Sequence, residues 1–446
     1  MATASTAASR TNWIDRSLRV FADVRDGEGV GALLMFANVF VLLVTYYILK
    51  TVREPLILTL GGAELKSYAA AAQALVLMVY VPLYSWLAAS LPRRALVITV
   101  VLFFFGCLEV FFAMGQARVP FVGFAFYVWV GIFSLTAIAQ FWSYANDIYR
   151  REEGERLFSL IAIGSTAGAP LGAFIAGSLF AGGVSPYVLM QLAAVLLLLH
   201  LFLYRVVEQQ RAPAAARQGQ RAVNRAEGFR LVFRSRYLWL MALLLICLNL
   251  VNTTGEYILG SMVVDAADAS AAAAGGGFDK SAFIGSFYGR YFFWVNVAAV
   301  VIQAFIVSRL VKYGGIAAAL LALPIVALGT YGMLATGVTL AITRWGKTLE
   351  NATDYSAMNT AKQMLWLPTT PEQKYQGKQA IDTFFVRAGD LLSAGVVFVG
   401  TEWLALTARG FAAGMLIAVA AWLALSVLLL REYRRLSITH EREKAA

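Results

Sequence analysis

Long, unbroken apolar runs leave this chain few folds to choose from. "ALLMFANVFVLLVTYYIL" (Ala32–Leu49), "ALVITVVLFFFGCLEVFFAMG" (Ala95–Gly115), "YVLMQLAAVLLLLHLFLY" (Tyr187–Tyr204) and "LWLMALLLICLNLVN" (Leu238–Asn252) are four of them. Each approaches the roughly 20 apolar residues that carry a helix across a bilayer. A helix is the expected spanning element because it satisfies its backbone polar groups within itself. Only 14% of the 446 residues are charged, against about 25% in an ordinary soluble domain. The mean hydropathy of +0.68 agrees. An all-α, multi-pass membrane protein is the expectation.

About twelve spans are read, starting near residues 31, 67, 95, 120, 157, 187, 237, 286, 315, 338, 379 and 410. The tenth is short of apolar residues. Lysine and arginine mark the cytoplasmic loops. With the N-terminus inside, the inner segments hold Arg93/Arg94, Arg150/Arg151/Arg156, the stretch Arg205–Arg236, Arg309/Lys312, Lys374/Lys378 and Arg431/Arg434/Arg435, while the outer segment Asp265–Lys280 is acidic. The net charge of +11 is therefore read as a topology signal, not a nucleic-acid surface. Both termini are expected in the cytoplasm of a bacterial inner membrane, and a monomer is expected. The opening 30 residues carry no apolar core of the signal-peptide kind. The cytoplasmic basic central loop 206–236, whose polar stretch Val206–Gly228 is expected to be flexible, is expected to separate two six-helix bundles, 31–205 and 237–430, between a cytoplasmic N-terminal segment (1–30) and a tail (431–446). This layout resembles the major facilitator transporters, where substrate sits between the halves near the bilayer midplane.

Local signals fit that layout. "GSTAGAPLGAFIAG" spaces Gly164, Gly168, Gly172 and Gly177 about one turn apart around Pro170. Small residues at this spacing let helix backbones approach closely. The run resembles the glycine–proline motif of major facilitator antiporters, with close packing as its plainer reading. "WLAASLPRRALV" (Trp86–Val97) resembles a degraded form of the same superfamily's loop between spans two and three, without its acidic residue. Cys107 and Cys247 fall inside spans and suggest no disulfide, and His200 and His440 have no zinc spacing. No metal or cofactor is expected. "GGGF" (Gly275–Phe278) lacks the Gly-Lys-Ser/Thr ending of a phosphate loop, and no nucleophile–base pair stands out, so no enzyme is expected.

Charges inside spans are costly and usually face a protein interior or water. Lys50, Arg53 and Glu54 interrupt span one in "YYILKTVREPLIL"; Glu109 lies in span three; Glu256 follows "NLVNTTG" in span seven. Span ten holds Arg344, Lys347, Glu350, Asp354 and Lys362, and span eleven Arg387 and Asp390. Several pairs stand three or four residues apart, on one helix face, which points to a cavity. Pro55 directly after the first cluster predicts that span one breaks there. Internal ion pairing and snorkelling are the structural alternatives, above all for Glu109, Glu256, Lys362 and Arg290. Cations in both halves suit an anion of distributed charge such as a phosphate.

Three segments carry a further likeness: "YYILKTVREPLIL", "FWSYANDIYRREEGERLFSLIAIGSTAGA" (Phe141–Ala169) and "DYSAMNTAKQMLWLPTTPEQKYQGKQAID" (Asp354–Asp382). They resemble the ATP/ADP translocase family, the NTP/NDP exchange transporters of plastids and intracellular bacteria, over about Ala32 to Gly400. The resemblance implies nucleotide exchange, or nucleotide movement with protons, through intramembrane lysines and glutamates. Its basic position in span one falls on Arg53, where a lysine is expected, and Lys362, Lys374 and Lys378 match the lysines of spans ten and eleven. "VWVGIFS" (Val128–Ser134) lacks an expected glutamate, and Asn252 stands on or near an expected acid, with Glu256 four residues later.

The sequence thus predicts a secondary transporter of an anionic phosphorylated metabolite, a nucleotide first. Lys50 and Arg53 are expected to bind phosphate from one side, Lys347 and Arg387 from the other. Glu54, Asp354 and Asp390 are expected to hold these cations when the site is empty, and Tyr46 and Tyr355 to stack on a base. Asn252, Glu256 and Lys362 complete the expected substrate set. A proton-coupled carrier of another organic anion, with Glu109 or Glu256 as proton site, and a non-transporting scaffold or sensor are the alternatives.

Overall fold

The computed structural model describes residues 13–20, 22–210, 225–274 and 276–445. Most of the segment expected to be flexible, 211–224, and the first twelve residues lie outside that range. Among the described residues the structure is helical, without strands. Fifteen α-helices follow in order: α1 (Trp13–Leu18), α2 (Gly29–Ser90), α3 (Arg93–Gln116), α4 (Val122–Ile148), α5 (Arg151–Ala181), α6 (Pro186–Gln210), α7 (Arg225–Arg234), α8 (Arg236–Ala274), α9 (Lys280–Val301), α10 (Ser308–Thr336), α11 (Leu340–Thr353), α12 (Asn359–Met364), α13 (Lys378–Ala380), α14 (Val386–Phe398) and α15 (Ala408–Ala445). π turns join several of them, notably Ile302–Val307, Asp354–Met358 and Ile381–Phe385.

Nine helical segments among the described residues are long and apolar enough to cross a membrane. Two of these contain internal breaks. α2 runs for 62 residues and leaves helical geometry only at Gly61 and Gly62, whose φ is +67° at Gly62. The other, 280–336, breaks at Gly315, with φ +62°. Both breaks need a left-handed conformation that glycine adopts without a Cβ clash.

The expected interruption at Pro55 is therefore corrected: the helix passes through Lys50–Pro55 intact and bends six residues later. Proline is tolerated inside membrane helices where neighbouring groups satisfy the freed backbone. Around Pro55 the helix is continuous from Gly29 to the break at Gly61. Beyond the bend, α2 folds back on itself. Twelve residues of straight helix span about 18 Å, yet Lys66 Nζ lies 2.7 Å from Glu54 Oε2.

The glycine run of α5 is used for packing. A methyl at Gly164, Gly168 or Gly172 would come within 2.5–2.6 Å of the carbonyl oxygens of Phe36, Phe40 and Val44 on α2. Gly177 instead meets Gly289 of α9, so one stripe serves two interfaces. Arg93, at the start of α3, pairs with Asp147 at the end of α4. The acid missing from "WLAASLPRRALV" is thus supplied by another helix. Both ends of the stretch expected to be flexible, 206–210 in α6 and 225–228 in α7, are helical, and just beyond it Phe229 and Phe233 of α7 pack on Phe384, Phe385 and Trp239.

Candidate functional site

α2 carries Lys50, Arg53 and Glu54 on one turn, where it meets α4, α8 and α9. The two cations have different surroundings. Lys50 lies over the rings of Phe292 (4.4 Å), Tyr47 (5.2 Å) and Tyr355 (5.8 Å), with its Nζ 3.4 Å from the Tyr355 hydroxyl. No carboxylate pairs with it among the described residues. Tyr46 stands edge-on to Tyr47, with centroids 5.1 Å apart, and Tyr355 is 43% exposed. Aromatic faces attract a cation by about 0.5–2 kcal/mol but do not neutralise it.

Arg53 stacks on Tyr127 at 4.2 Å and donates to Glu54 Oε1 from Nη2 (2.7 Å) and Nε (3.1 Å). Glu54 is fully buried. Its other oxygen is 2.7 Å from Lys66, which stands 3.7 Å from Glu256 on α8. Lys66 also donates to Tyr288 at 3.4 Å. Glu256 Oε1 accepts from Tyr291 (3.1 Å) and Asn351 (2.9 Å). Arg53, Lys66, Glu54 and Glu256 thus form a neutral network across α2 and α8, with α9 and α11 holding the far side. Neutrality matters, since an unpaired buried charge is expensive.

Other expected residues lie in separate pairs. Lys347 was expected on the wall of the cavity; instead it is fully buried, donating to Glu350 at 2.7 Å. Gly255 makes room for it, since a methyl there would stand 2.5 Å from Lys347 Nζ. That enclosure keeps Lys347 from direct substrate contact in this conformation. Arg387 donates to Asp390 at 3.2 Å, and Asp390 also accepts from Thr253 of α8 at 2.8 Å. Asp354 is 3.5 Å from Lys362. Lys362 lines a cleft of about 180 Å³ with Lys378, Asp382, Gln363 and Trp366. Asn252 carries a buried side-chain oxygen without a hydrogen-bond partner. Glu109 accepts from Gln191 of α6 at 3.1 Å and stands apart from these groups.

The sequence reading missed Lys66, Tyr127, Tyr288, Tyr291, Phe292 and Asn351. Lys66 sits in "GGAELKS", which reads as a loop between spans. Its signal was there: opposite charges, Glu64 and Lys66, follow the Gly61–Gly62 pair in an otherwise apolar stretch.

A sequence profile of the Major Facilitator Superfamily matches residues 29–352. The chain belongs to that superfamily and is a membrane transporter rather than an enzyme. Over 58% of its length it is 26% identical to ADP,ATP carrier protein 1 of Chlamydia trachomatis, and that alignment covers 55% of the carrier, about half its length. With ADP,ATP carrier protein 1 of Chlamydia muridarum the identity is 25%, covering 92% of this chain and 90% of that one. Among solved structures, nucleoside transporter NupG superposes with a TM-score of 0.65 at 11% identity, covering 90% of this chain and 98% of NupG. That likeness concerns the fold alone.

Proposed function

We propose that this protein is a secondary transporter that moves a nucleotide, or a closely related phosphorylated anion, by alternating access. The carrying observation is Lys50, an intramembrane cation held by aromatic rings and by no carboxylate. A phosphate oxygen is the partner it lacks, and the exposed face of Tyr355 suits a base. Arg53, one turn along, supplies a bidentate donor once it leaves Glu54. The relatives named ADP,ATP carrier protein support a nucleotide over other anions.

In this reading the two glycine breaks divide long helices, and the polar α11–α12 segment makes a further span. Twelve spans then form two bundles, 31–205 and 237–430, with both termini in the cytoplasm of a bacterial inner membrane. Arg387 and Lys362 approach the substrate from the second bundle, with Asp390 and Asp354 as resting partners. Proteoliposomes loaded with ADP and given labelled ATP outside test the proposal. Saturable counterflow is expected; no exchange across the common nucleotides rejects it.

A proton-coupled carrier of another anion is the second reading. It is favoured by Asn252 standing near an expected acid and by Glu256 lying among cations. Uptake driven by a pH gradient and indifferent to nucleotides would select it.

A further inference from the structure

Lys66 has no part in the substrate reading above, yet it is shared between two carboxylates. It is buried and joins carboxylates of two segments far apart in sequence, Glu54 of α2 at 2.7 Å and Glu256 of α8 at 3.7 Å. The two contacts differ in kind. Glu54 is a near neighbour across the Gly61–Gly62 bend, so that pair lies within one helical hairpin. Glu256 belongs to the second half of the chain and is fixed there by Tyr291 and Asn351. The longer Lys66–Glu256 contact is therefore the one that can part while both ends stay supported.

Nearby ties point the same way. Tyr257, beside Glu256, donates to Glu64 of α2 at 3.1 Å. Gly260, one turn beyond Glu256, faces Ala63, where an added Cβ would lie 3.4 Å from that of Ala63. α2 and α8 thus touch along one face at this end, and Lys66 is the ionic member of the contact.

We propose that Lys66 is a latch closing α2 onto α8, and that Arg53 sets its strength through their shared partner Glu54. Arg53 holds Glu54 Oε1 while Lys66 holds Oε2. An anion that draws Arg53 away leaves the full carboxylate charge to Lys66. Lys66 then moves toward Glu54 and away from Glu256, and this end of the interface loosens. An empty carrier stays latched, as obligatory exchange requires. The inference rests on the transport reading but not on the identity of the anion.

Oxidative cross-linking of the full chain tests it without any ligand. In a parent with Cys107→Ser and Cys247→Ala, the pair Ala63→Cys and Gly260→Cys stands at a Cβ separation close to that of a disulfide. Lys66→Met is expected to slow the cross-link at least about fivefold, the lower end of typical coupling between sites. Lys66→Arg should keep the parent rate, and Arg53→Gln should slow it although it touches neither cysteine. Glu256→Gln removes the α8 partner and spares the hairpin pair, so it serves if Lys66→Met fails to fold. A parent rate in Lys66→Met or Glu256→Gln overturns the latch, and a parent rate in Arg53→Gln overturns the coupling. Nucleotide counterflow is read separately in the same parent, so a failed latch and a failed substrate reading register as different losses.

Discussion

Lys50 and Lys347 both lie among packed helices, but they are held by opposite means. Lys347 is fully buried and ion-paired with Glu350, itself 3% exposed. Lys50 rests on three aromatic rings, one of them the half-open Tyr355, and among the described residues no carboxylate pairs with it. Burial with a counter-ion makes a cation part of the scaffold, because removing either partner strands the other. An aromatic cradle keeps a cation in place while leaving its charge for a ligand. Residue type is therefore a poor guide to the surroundings of a buried charge; the nature of the partner separates the two lysines.

The contrast can be broken from either side. The largest stability loss is expected for Lys66→Met, which leaves buried Glu54 with Arg53 alone and takes from Glu256 its lysine. Breaking a buried pair from one side costs about 3–5 kcal/mol, and thermal unfolding in detergent should show it as the steepest drop in melting temperature. Lys347→Met comes next, stranding Glu350. Adding Glu350→Gln should recover most of that loss, and a double variant no better than the single would refute the scaffold role. Lys50→Met should reverse the pattern. Its stability cost is that of a cation–π contact, about 0.5–1 kcal/mol, while nucleotide affinity falls about tenfold or more, since a hydrogen bond to a charged group contributes about 1.5–3 kcal/mol. Smallest of all is Glu109→Gln, which keeps an acceptor for Gln191 and should leave the rate and pH dependence of uptake unchanged.

The membrane class and the approximate span positions could be read from the sequence, because apolar run length reports bilayer thickness directly. The small-residue stripe of α5 was also readable, since one-turn spacing implies close backbones. The position of the bend in α2 was not. Pro55 is the stronger breaker by propensity, but it is buried in tertiary packing that holds the helix straight through it, and the chain turns at Gly61–Gly62 instead. That misplacement hid Lys66, assigned to a loop when it lies inside the hairpin. Lys50 and Arg53 could be singled out as charges in an apolar span. That Phe292 and Tyr355 would cradle Lys50 could not be known, because they come from segments about 240 and 300 residues away. Lys347 and Lys50 look alike in sequence; only three-dimensional pairing tells the enclosed lysine from the available one.

Equilibrium binding of ADP to the purified protein, compared between the parent, Lys50→Met and Lys347→Met/Glu350→Gln, tests the central claim most directly. Lys50→Met should weaken ADP about tenfold or more with its melting temperature nearly unchanged, while the double variant should bind ADP as the parent does. Unaltered ADP affinity in Lys50→Met, or loss of affinity confined to the Lys347–Glu350 variant, would contradict it.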